Sequence, residues 1–155
     1  MVLISLNTGL RQGELFNLKW ENINFERATL TVTANNAKSG KTRHVPINST
    51  TLQILKNWRM QVQQNKFVFS SKKTGMSFNN VNKAWRSILE SAEIENFRWH
   101  DMRHHFASKL VMANVDLNTV RELLGHADIK MTLRYAHLAP EHKANAVEKL
   151  VKAAP

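Results

Sequence analysis

The chain is organised around residues 98–108, which read Arg-Trp-His-Asp-Met-Arg-His-His-Phe-Ala-Ser. His100 and Arg103 are three residues apart where an amphipathic helix begins, and residues at i and i+3 share one helical face. Apolar residues at i, i+4 spacing predict a buried stripe on this helix: Met102, Phe106 and Leu110. An imidazole beside a guanidinium suits a phosphate, because arginine binds it as a planar fork and histidine as a tunable donor. An ordinary helix with a polar solvated face would show the same pattern.

Composition limits the possible classes of protein. A chain of 155 residues with 43% hydrophobic residues is long and apolar enough for one folded domain with a core. There is no cysteine, which excludes disulfides and thiolate metal sites. Neither a signal peptide nor an apolar run of membrane-spanning length is visible. We therefore expect a soluble protein of a reducing cytoplasm, with no membrane partner.

The positive charge is unevenly placed along the chain. The formal net charge is +10, and residues 27–89 contain eleven Lys and Arg but no Asp or Glu. A long region with one sign of charge inside a folded domain favours a polyanionic partner, above all nucleic acid. A basic surface that only maintains solubility is the alternative.

The first residues predict a helix end followed by an anion site. Residues 1–8 have the pattern of the last turns of a helix, and Gly9 is a suitable residue to end it. The chain is therefore expected to be a fragment of a longer protein. Arg11 falls near the start of a second, short helix, where free backbone N–H groups favour an anion. Glu14, one turn on, would hold Arg11 in place, although an exposed Arg–Glu pair is the simpler interpretation.

A basic hairpin follows. Residues 28–34 alternate apolar and polar, and residues 41–47 predict a second strand that Pro46 places at a sheet edge or strand end. The turn-rich residues 35–40 between them predict a hairpin tip. Three basic side chains there are expected to reach a DNA backbone phosphate: Lys38, Lys41 and Arg43.

The remaining chain predicts further helices. One is capped by Asn48 or Ser49 and runs to about Gln64, a second is capped by Ser77, and Phe67-Val68-Phe69 between them is extended. The Ser77 helix has core spacing for Phe78, Val81, Trp85, Ile88 and Ala92.

The C-terminal third predicts three more helices. Asp116 caps a helix that Gly125 ends, so His126 is held by the turn that follows. Asp128 caps a short helix that leads to Tyr135, the sole tyrosine of the chain. Pro140 opens a last helix.

Five segments together resemble the catalytic domain of tyrosine recombinases, the phage integrase family. They are Thr-Gly-Leu-Arg-Gln-Gly-Glu at 8–14, Lys-Ser-Gly-Lys-Thr-Arg-His-Val-Pro at 38–46, His-Asp-Met-Arg-His-His-Phe-Ala-Ser at 100–108, Leu-Leu-Gly-His at 123–126 and Met-Thr-Leu-Arg-Tyr-Ala-His at 131–137. Each is weak alone, but they occur in family order over nearly the whole chain. The resemblance implies a mainly α fold with a small antiparallel β-sheet. The family usually has an N-terminal DNA-binding domain, so residues 1–155 are expected to be a single catalytic domain without it.

The resemblance also implies roles for individual residues. The catalytic set it implies is Arg11, Lys38, His100, Arg103, His126 and Tyr135, with Glu14 supporting the first arginine. Tyr135 would attack a phosphodiester of double-stranded DNA, and Arg11 and Arg103 would clamp its oxygens with help from His126. His100 is the expected acceptor of the tyrosine proton and Lys38 the expected donor to the departing 5′ oxygen.

The resemblance also implies what the reaction requires and how the protein assembles. The reaction would need no metal or other cofactor, since no carboxylate cluster in the sequence suggests a metal site, and no ATP, since the 3′-phosphotyrosyl bond conserves the energy of the cleaved bond. The protein would be the integrase of a prophage or other mobile element, assembled as a tetramer on DNA at the nucleoid.

Three other functions fit part of the sequence. A metal hydrolase would use His100 and His104 at i, i+4, but Arg103 on the same face would repel a cation, and no glutamate lies between the histidines as in a zinc protease. A non-catalytic DNA-binding module would need the basic region but not six matched polar residues. A type IB topoisomerase shares the chemistry, although the hairpin and Leu-Leu-Gly-His are more typical of an integrase. Outside these motifs, three histidines are interpreted as surface or structural residues: His44, His137 and His142.

Overall fold

The computed structural model describes residues 1–62 and 65–139. The helices within those ranges are α1 (Val2–Thr8), α2 (Gln12–Phe16), α3 (Ser49–Gln61), α4 (Asn82–Ser91), α5 (Asp101–Met112), α6 (Leu117–Leu124) and α7 (Lys130–Leu133). Single 3₁₀ turns lie at Trp20–Asn22 and Ala136–Leu138. The strands are β1 (Ile23–Asn24), β2 (Thr29–Val32) and β3 (Arg43–Pro46). The mainly helical fold with a small sheet is confirmed, and the helix expected from Pro140 lies outside the described residues.

The sheet is antiparallel in the order β1-β2-β3. Leu30 opposite Val45 forms its buried face, while Thr31 and His44 pair on the solvated face and share a side-chain hydrogen bond of 3.0 Å. Both strands of the basic hairpin are confirmed, but they are shorter than expected. The backbone turns at Thr33, whose carbonyl accepts the N–H groups of Asn36 and Ala37, so the tip begins earlier.

Two hydrophobic clusters lie on either side of α5. The sheet core joins α1, α2, the sheet and α3 around Ile4, Leu15, Leu30 and Leu55. The helical core joins α5 and α6 around Ala107, Val111, Val120, Leu124 and Tyr135. Full burial of one such aliphatic side chain contributes about 1.5–3 kcal/mol. A helix packed on both sides in this way fixes the direction of the polar side chains that leave its first turn.

The face that α5 buries differs from the expected stripe. Met102 is buried as expected, but Phe106 and Leu110 are only partly buried, and the other buried residues are Arg103, Ala107 and Val111. The reason is that α5 contacts α1 on one side and α6 on the other, so its covered surface is wider than one stripe.

The helix expected from Ser77 begins later, at Asn82. Ser77 is held extended because it pairs with Ser70 in an antiparallel bridge. Contrary to the expected core spacing, α4 has no buried residue, and Ile88 is 49% exposed. Its Trp85 instead packs edge-on against Trp99, with ring centroids 5.2 Å apart. Of the segment expected to be extended, Phe67 pairs with Lys19 in an antiparallel bridge, whereas Val68 and Phe69 lie in a bend and are buried.

Candidate active site

A cleft of about 580 Å³ opens where α5, α6, α7 and the hairpin tip meet. Side chains from distant parts of the sequence line it: Arg11, Lys38, His100, Arg103, His126 and Tyr135. The structure therefore brings the whole expected catalytic set together. Lys41 and Arg43, expected to bind DNA, are not among the lining residues.

Arg103 lies in the first turn of α5 and is only 3% exposed. Its Nη1 donates to the carbonyl of Gly9 at 2.6 Å, and its Nη2 donates to the carbonyl of Leu124 at 2.5 Å. Both acceptors are carbonyls at helix C-termini, which have no partner within the helix and carry the negative end of the helix dipole. Burial, then the charge of Arg11, lowers the pKa of Arg103 to about 9, so the guanidinium stays protonated at neutral pH.

Arg11 is the N-cap residue of α2, as expected. Glu14 binds it twice, since Oε1 accepts from Nη1 at 3.0 Å and Oε2 accepts from the backbone N–H at 2.8 Å. Longer contacts of 3.5 and 3.4 Å reach the carbonyls of Leu124 and Gly125. Both cleft arginines therefore share the C-terminus of α6.

Arg43 holds the other side of the same carboxylate. Its Nη1 and Nη2 donate to the two oxygens of Glu14 at 2.9 and 2.7 Å, and its Nε donates to the carbonyl of Leu123 at 3.2 Å. The expectation that Arg43 is free to reach a phosphate is therefore wrong. Burial raises the pKa of the Glu14 carboxyl. The hydrogen bonds and charges of Arg43, and then of Arg11, lower it by more, so the pKa of Glu14 lies below its ordinary value.

Two glycines make the close approaches possible. Gly9 and Gly125 end α1 and α6 in the left-handed conformation, with φ of 61° and 64°. A Cβ at Gly9 would collide with the ring of Phe106, and a Cβ at Gly125 would lie 2.8 Å from Cδ of Arg43. A side chain at Gly9 would have to displace Phe106, and one at Gly125 would have to displace Arg43, in addition to the strain of the left-handed backbone.

His126 follows Gly125 directly and is 9% exposed. Its Nδ1 lies 2.9 Å from Oγ1 of Thr132, a buried residue of α7 that sequence reasoning did not single out. Burial, then the charge of Arg103 and Arg11, lowers the pKa of His126 to about 4. The ring is therefore neutral at pH 7, with one N–H donor and one acceptor nitrogen.

Tyr135 belongs to the helical core and is 6% exposed. Its hydroxyl lies 2.6 Å from Nδ1 of His104, while His100 caps the start of α5 and stands edge-on to His104, with ring centroids 4.9 Å apart. His100 was expected to accept the proton of this hydroxyl. Within residues 1–62 and 65–139, its side-chain partner is His104. Sequence reasoning had weighed His104 only as a metal ligand; its i+4 spacing from His100 was the available signal.

The hairpin tip carries the lysines. Gly40 at φ 64° supports the turn, Lys38 and Ser39 border the cleft, and both Lys38 and Lys41 are exposed. Among the residues that the structure describes, no side-chain hydrogen bond or ion pair holds Lys38 or Lys41. The arginines of the cleft, Arg11 and Arg103, are thus held by hydrogen bonds, whereas Lys38 at the cleft border is not held by a described side chain.

The described residues contain neither a metal-binding cluster nor a membrane-spanning helix. No three His, Asp or Glu residues among them are grouped so that they could hold a metal ion. No helix in the described part of the chain has the length and apolarity needed to span a membrane.

The fold and the cleft define a helical domain that places one buried and one partly buried arginine, Arg103 and Arg11, beside a buried tyrosine. Residues 1–142 match the model of the phage integrase family, and the chain belongs to that family. It is 35% identical over 154 residues to the integrase of Salmonella phage P22, covering 92% of this chain and 39% of the relative. It is 34% identical over 153 residues to tyrosine recombinase XerA of Pyrococcus furiosus, covering 96% and 53%.

Solved structures share the fold. The catalytic domain of bacteriophage HP1 integrase superposes with a TM-score of 0.71 at 30% identity, covering 95% of this chain and 78% of that one. The XerH site-specific recombinase bound to its difH substrate in a post-cleavage complex gives a TM-score of 0.75 at 25% identity, covering 94% and 43%. The chain spans about 40 to 50% of the length of the curated relatives that it matches first.

Proposed function

We propose that residues 1–155 are the catalytic domain of a site-specific DNA recombinase that cleaves and rejoins strands through a 3′-phosphotyrosyl intermediate. The observation that carries the proposal is the convergence of Arg11, Arg103, His126 and Tyr135 in one cleft with the hairpin lysine at its edge. The family membership and the DNA-bound structure of XerH support it. A non-catalytic DNA-binding module would not require a buried tyrosine hydroxyl next to fixed cations.

The first requirement is to bind the scissile phosphate. As the tyrosine oxygen attacks, negative charge grows on the non-bridging oxygens, and the N–H groups of Arg11 and Arg103 that face the cleft neutralise it. Donors that are already in place avoid reorganisation during the reaction and are typically worth about 2.7–4 kcal/mol each. The helix carbonyls that hold both guanidiniums provide this preorganisation.

His126 adds a neutral donor. If the Thr132 hydroxyl donates to Nδ1, then Nε2 carries the proton and donates to a phosphate oxygen. Thr132 would thus select the tautomer, as second partners of functional histidines commonly do.

In the chemical step the Tyr135 oxygen bonds to phosphorus and the P–O5′ bond breaks. The tyrosine loses its proton, and the 5′ oxygen gains one from the ammonium of Lys38. The reverse reaction, with a 5′ hydroxyl from another strand, releases Tyr135 and completes the exchange without ATP.

The chain has a single tyrosine, so each copy can hold one cleaved strand. Exchange between two duplexes cuts four strands, and four copies on double-stranded DNA are therefore part of the proposal. The all-positive region 27–89 would supply non-specific affinity for DNA. Such a protein would work at the nucleoid of a bacterial host.

The test is trapping of the covalent adduct. The chain is incubated with a pool of nicked duplexes randomised around the nick and labelled at the 5′ end of the strand that stays attached. Loss of the short 5′-hydroxyl fragment prevents rejoining, so a labelled band at the mass of protein plus DNA is expected on a denaturing gel. Tyr135→Phe should fold and bind DNA but give no band. A band from Tyr135→Phe would contradict the assignment of the nucleophile.

A further inference from the structure

Among the described residues, the side chain that shares a hydrogen bond with the reacting oxygen of Tyr135 is His104, not the histidine of the His-x-x-Arg pair. The distance of 2.6 Å between Nδ1 and the hydroxyl oxygen is short for a hydrogen bond between neutral groups. Tyr135 packs in the helical core, and His104 lies partly buried on α5 with its ring edge-on to that of His100. The contact therefore joins a packed tyrosine to a side chain of the helix that also carries Arg103.

Several charged and titratable groups surround the His104 ring. Asp101 lies one turn back on α5 and is held by Arg98, whose Nη2 donates to it at 3.0 Å. Arg103, Arg134 and His100 are the other neighbours. Burial, then Arg134, lowers the pKa of His104, and Asp101 opposes this shift. The free imidazole is therefore neutral, while the Asp101 carboxylate can stabilise a positive charge that forms on it.

We propose that His104 accepts the phenolic proton of Tyr135 during strand cleavage. This inference rests on the proposed function. As the tyrosine oxygen bonds to phosphorus, the proton passes from that oxygen to Nδ1 of His104, while the 5′ oxygen leaves with a proton from Lys38. In rejoining, the 5′ hydroxyl gives its proton back to Lys38, and Tyr135 leaves as the phenol with the proton from His104. No other reactant is needed.

His100 has a different place in this scheme. It is exposed at the start of α5 and meets His104 edge-on. Partial burial, then His104 and Arg103, lowers the pKa of His100, which therefore also stays neutral and adds no charge beside the newly formed imidazolium. As a neutral ring that lines the cleft, His100 can donate a hydrogen bond to the phosphate.

The first test compares two substitutions of His104 that both remove the proton acceptor but differ in whether they keep the hydrogen bond to Tyr135. In His104→Asn the amide oxygen occupies the position of Nδ1 and can accept the tyrosine hydrogen bond, but it cannot take the proton. His104→Ala loses both. Position 105, exposed on the same helix and without contact to Tyr135, supplies the control His105→Asn. We expect both His104 variants to form adduct about 10²–10⁴-fold more slowly and the control to be unchanged. Adduct formation by His104→Asn within about tenfold of the unsubstituted rate would overturn the role as acceptor.

The second test changes the acidity of the nucleophile. Since Tyr135 is the sole tyrosine, growth with 3-fluorotyrosine labels that position alone. Fluorine lowers the phenol pKa, so the reaction depends less on a base, and the defect of His104→Asn should shrink by about tenfold or more. A histidine that only supports the fold would give the same defect with both tyrosines, and that result would overturn the proposal.

The fluorine also reports on the contact without DNA. The ¹⁹F resonance of the free chain follows the titration of the phenol. The hydrogen bond stabilises the neutral phenol, so His104→Ala should lower the titration midpoint relative to the unsubstituted chain, whereas His105→Asn should not. An identical midpoint in all three would overturn the proposal. Absence of any adduct from the unsubstituted chain would instead overturn the proposed function, and the titration would still show whether His104 holds Tyr135.

Discussion

The two cationic regions of the domain, the cleft arginines and the lysines of the hairpin tip, are built in opposite ways. Arg11 and Arg103 are bound by a carboxylate and by helix C-terminal carbonyls before any ligand arrives. Lys38 and Lys41 are exposed, and no described side chain holds them. Groups that bind developing charge gain from being fixed, whereas a proton donor to the leaving group must enter only when DNA is present. Fixed and free cations therefore correspond to different steps of the proposed reaction.

Arg103→Lys should have the largest effect among tests of this contrast. Lysine keeps the charge but cannot span the carbonyls of Gly9 and Leu124 or present a planar fork. We expect adduct formation to fall by about 10²–10³-fold with little change in DNA affinity. The control is Arg86→Lys, an exposed arginine of α4. A loss of less than about tenfold at position 103 would show that charge alone suffices.

Arg43 and Lys41 test the contrast within one hairpin. Arg43→Ala leaves the buried carboxylate of Glu14 with Arg11 as its only remaining arginine. We expect about 3 kcal/mol lower free energy of unfolding in chemical denaturation, and slower cleavage because Arg11 loses its alignment. Lys41→Ala, two residues away and exposed, should change stability by less than about 0.5 kcal/mol. Equal stability of the two variants would mean that Arg43 is not anchored in solution.

This pair also shows how far the sequence could go. The six cleft residues were predicted from the family resemblance, and each also lies beside a local signal in the sequence: a glycine turn, a helix start, or the only tyrosine. The anchoring of Arg43 depends on Glu14, which is 29 residues earlier in the chain, and no local pattern reports such a contact. Lys41 and Arg43 lie two residues apart in the same predicted strand and carry the same charge, so the sequence predicted that both side chains would be free to bind phosphate.

The contacts of Tyr135 could not be predicted from the sequence either, because they also join distant elements. The bond between His104 and Tyr135 joins α5 to the end of α7 and depends on the angle between them. The late start of α4 depends on the bridge between Ser70 and Ser77, which a helical pattern cannot reveal. Elements and turn residues were predictable; pairings across elements were not.

Acid should lower the free energy of unfolding of the domain through protonation of His126. Its pKa falls from 6.5 in the unfolded chain to about 4 in the fold, so the unfolded state binds the proton first as pH drops. Stability that is present at neutral pH is lost between about pH 6.5 and 4, and amounts to about 2 kcal/mol between pH 8 and pH 5. Urea unfolding at the two pH values should show a smaller difference in His126→Asn. An unchanged pH dependence in that variant would place the acid-sensitive group elsewhere.

The smallest effect is expected for Lys41→Ala on DNA binding. An exposed lysine that contacts one phosphate should lower the slope of log affinity against log salt by about one, equally for all sequences. Fluorescence anisotropy with two unrelated duplexes measures this. The control is Lys109→Ala on α5, outside the hairpin. An unchanged slope would place the path of the DNA away from Lys41.

The most direct measurement of the difference between fixed and free cations uses a duplex in which the scissile 5′ oxygen is replaced by sulfur. A thiolate leaves without a proton, so the substrate no longer needs an acid but still needs phosphate binding. Lys38→Ala should cleave ordinary DNA very slowly and the 5′-thio substrate at nearly the unsubstituted rate, while Arg103→Lys should be impaired on both. Equal impairment of Lys38→Ala on the two substrates, or rescue of Arg103→Lys by sulfur, would contradict the assignment of acid and phosphate-binding roles to the two regions.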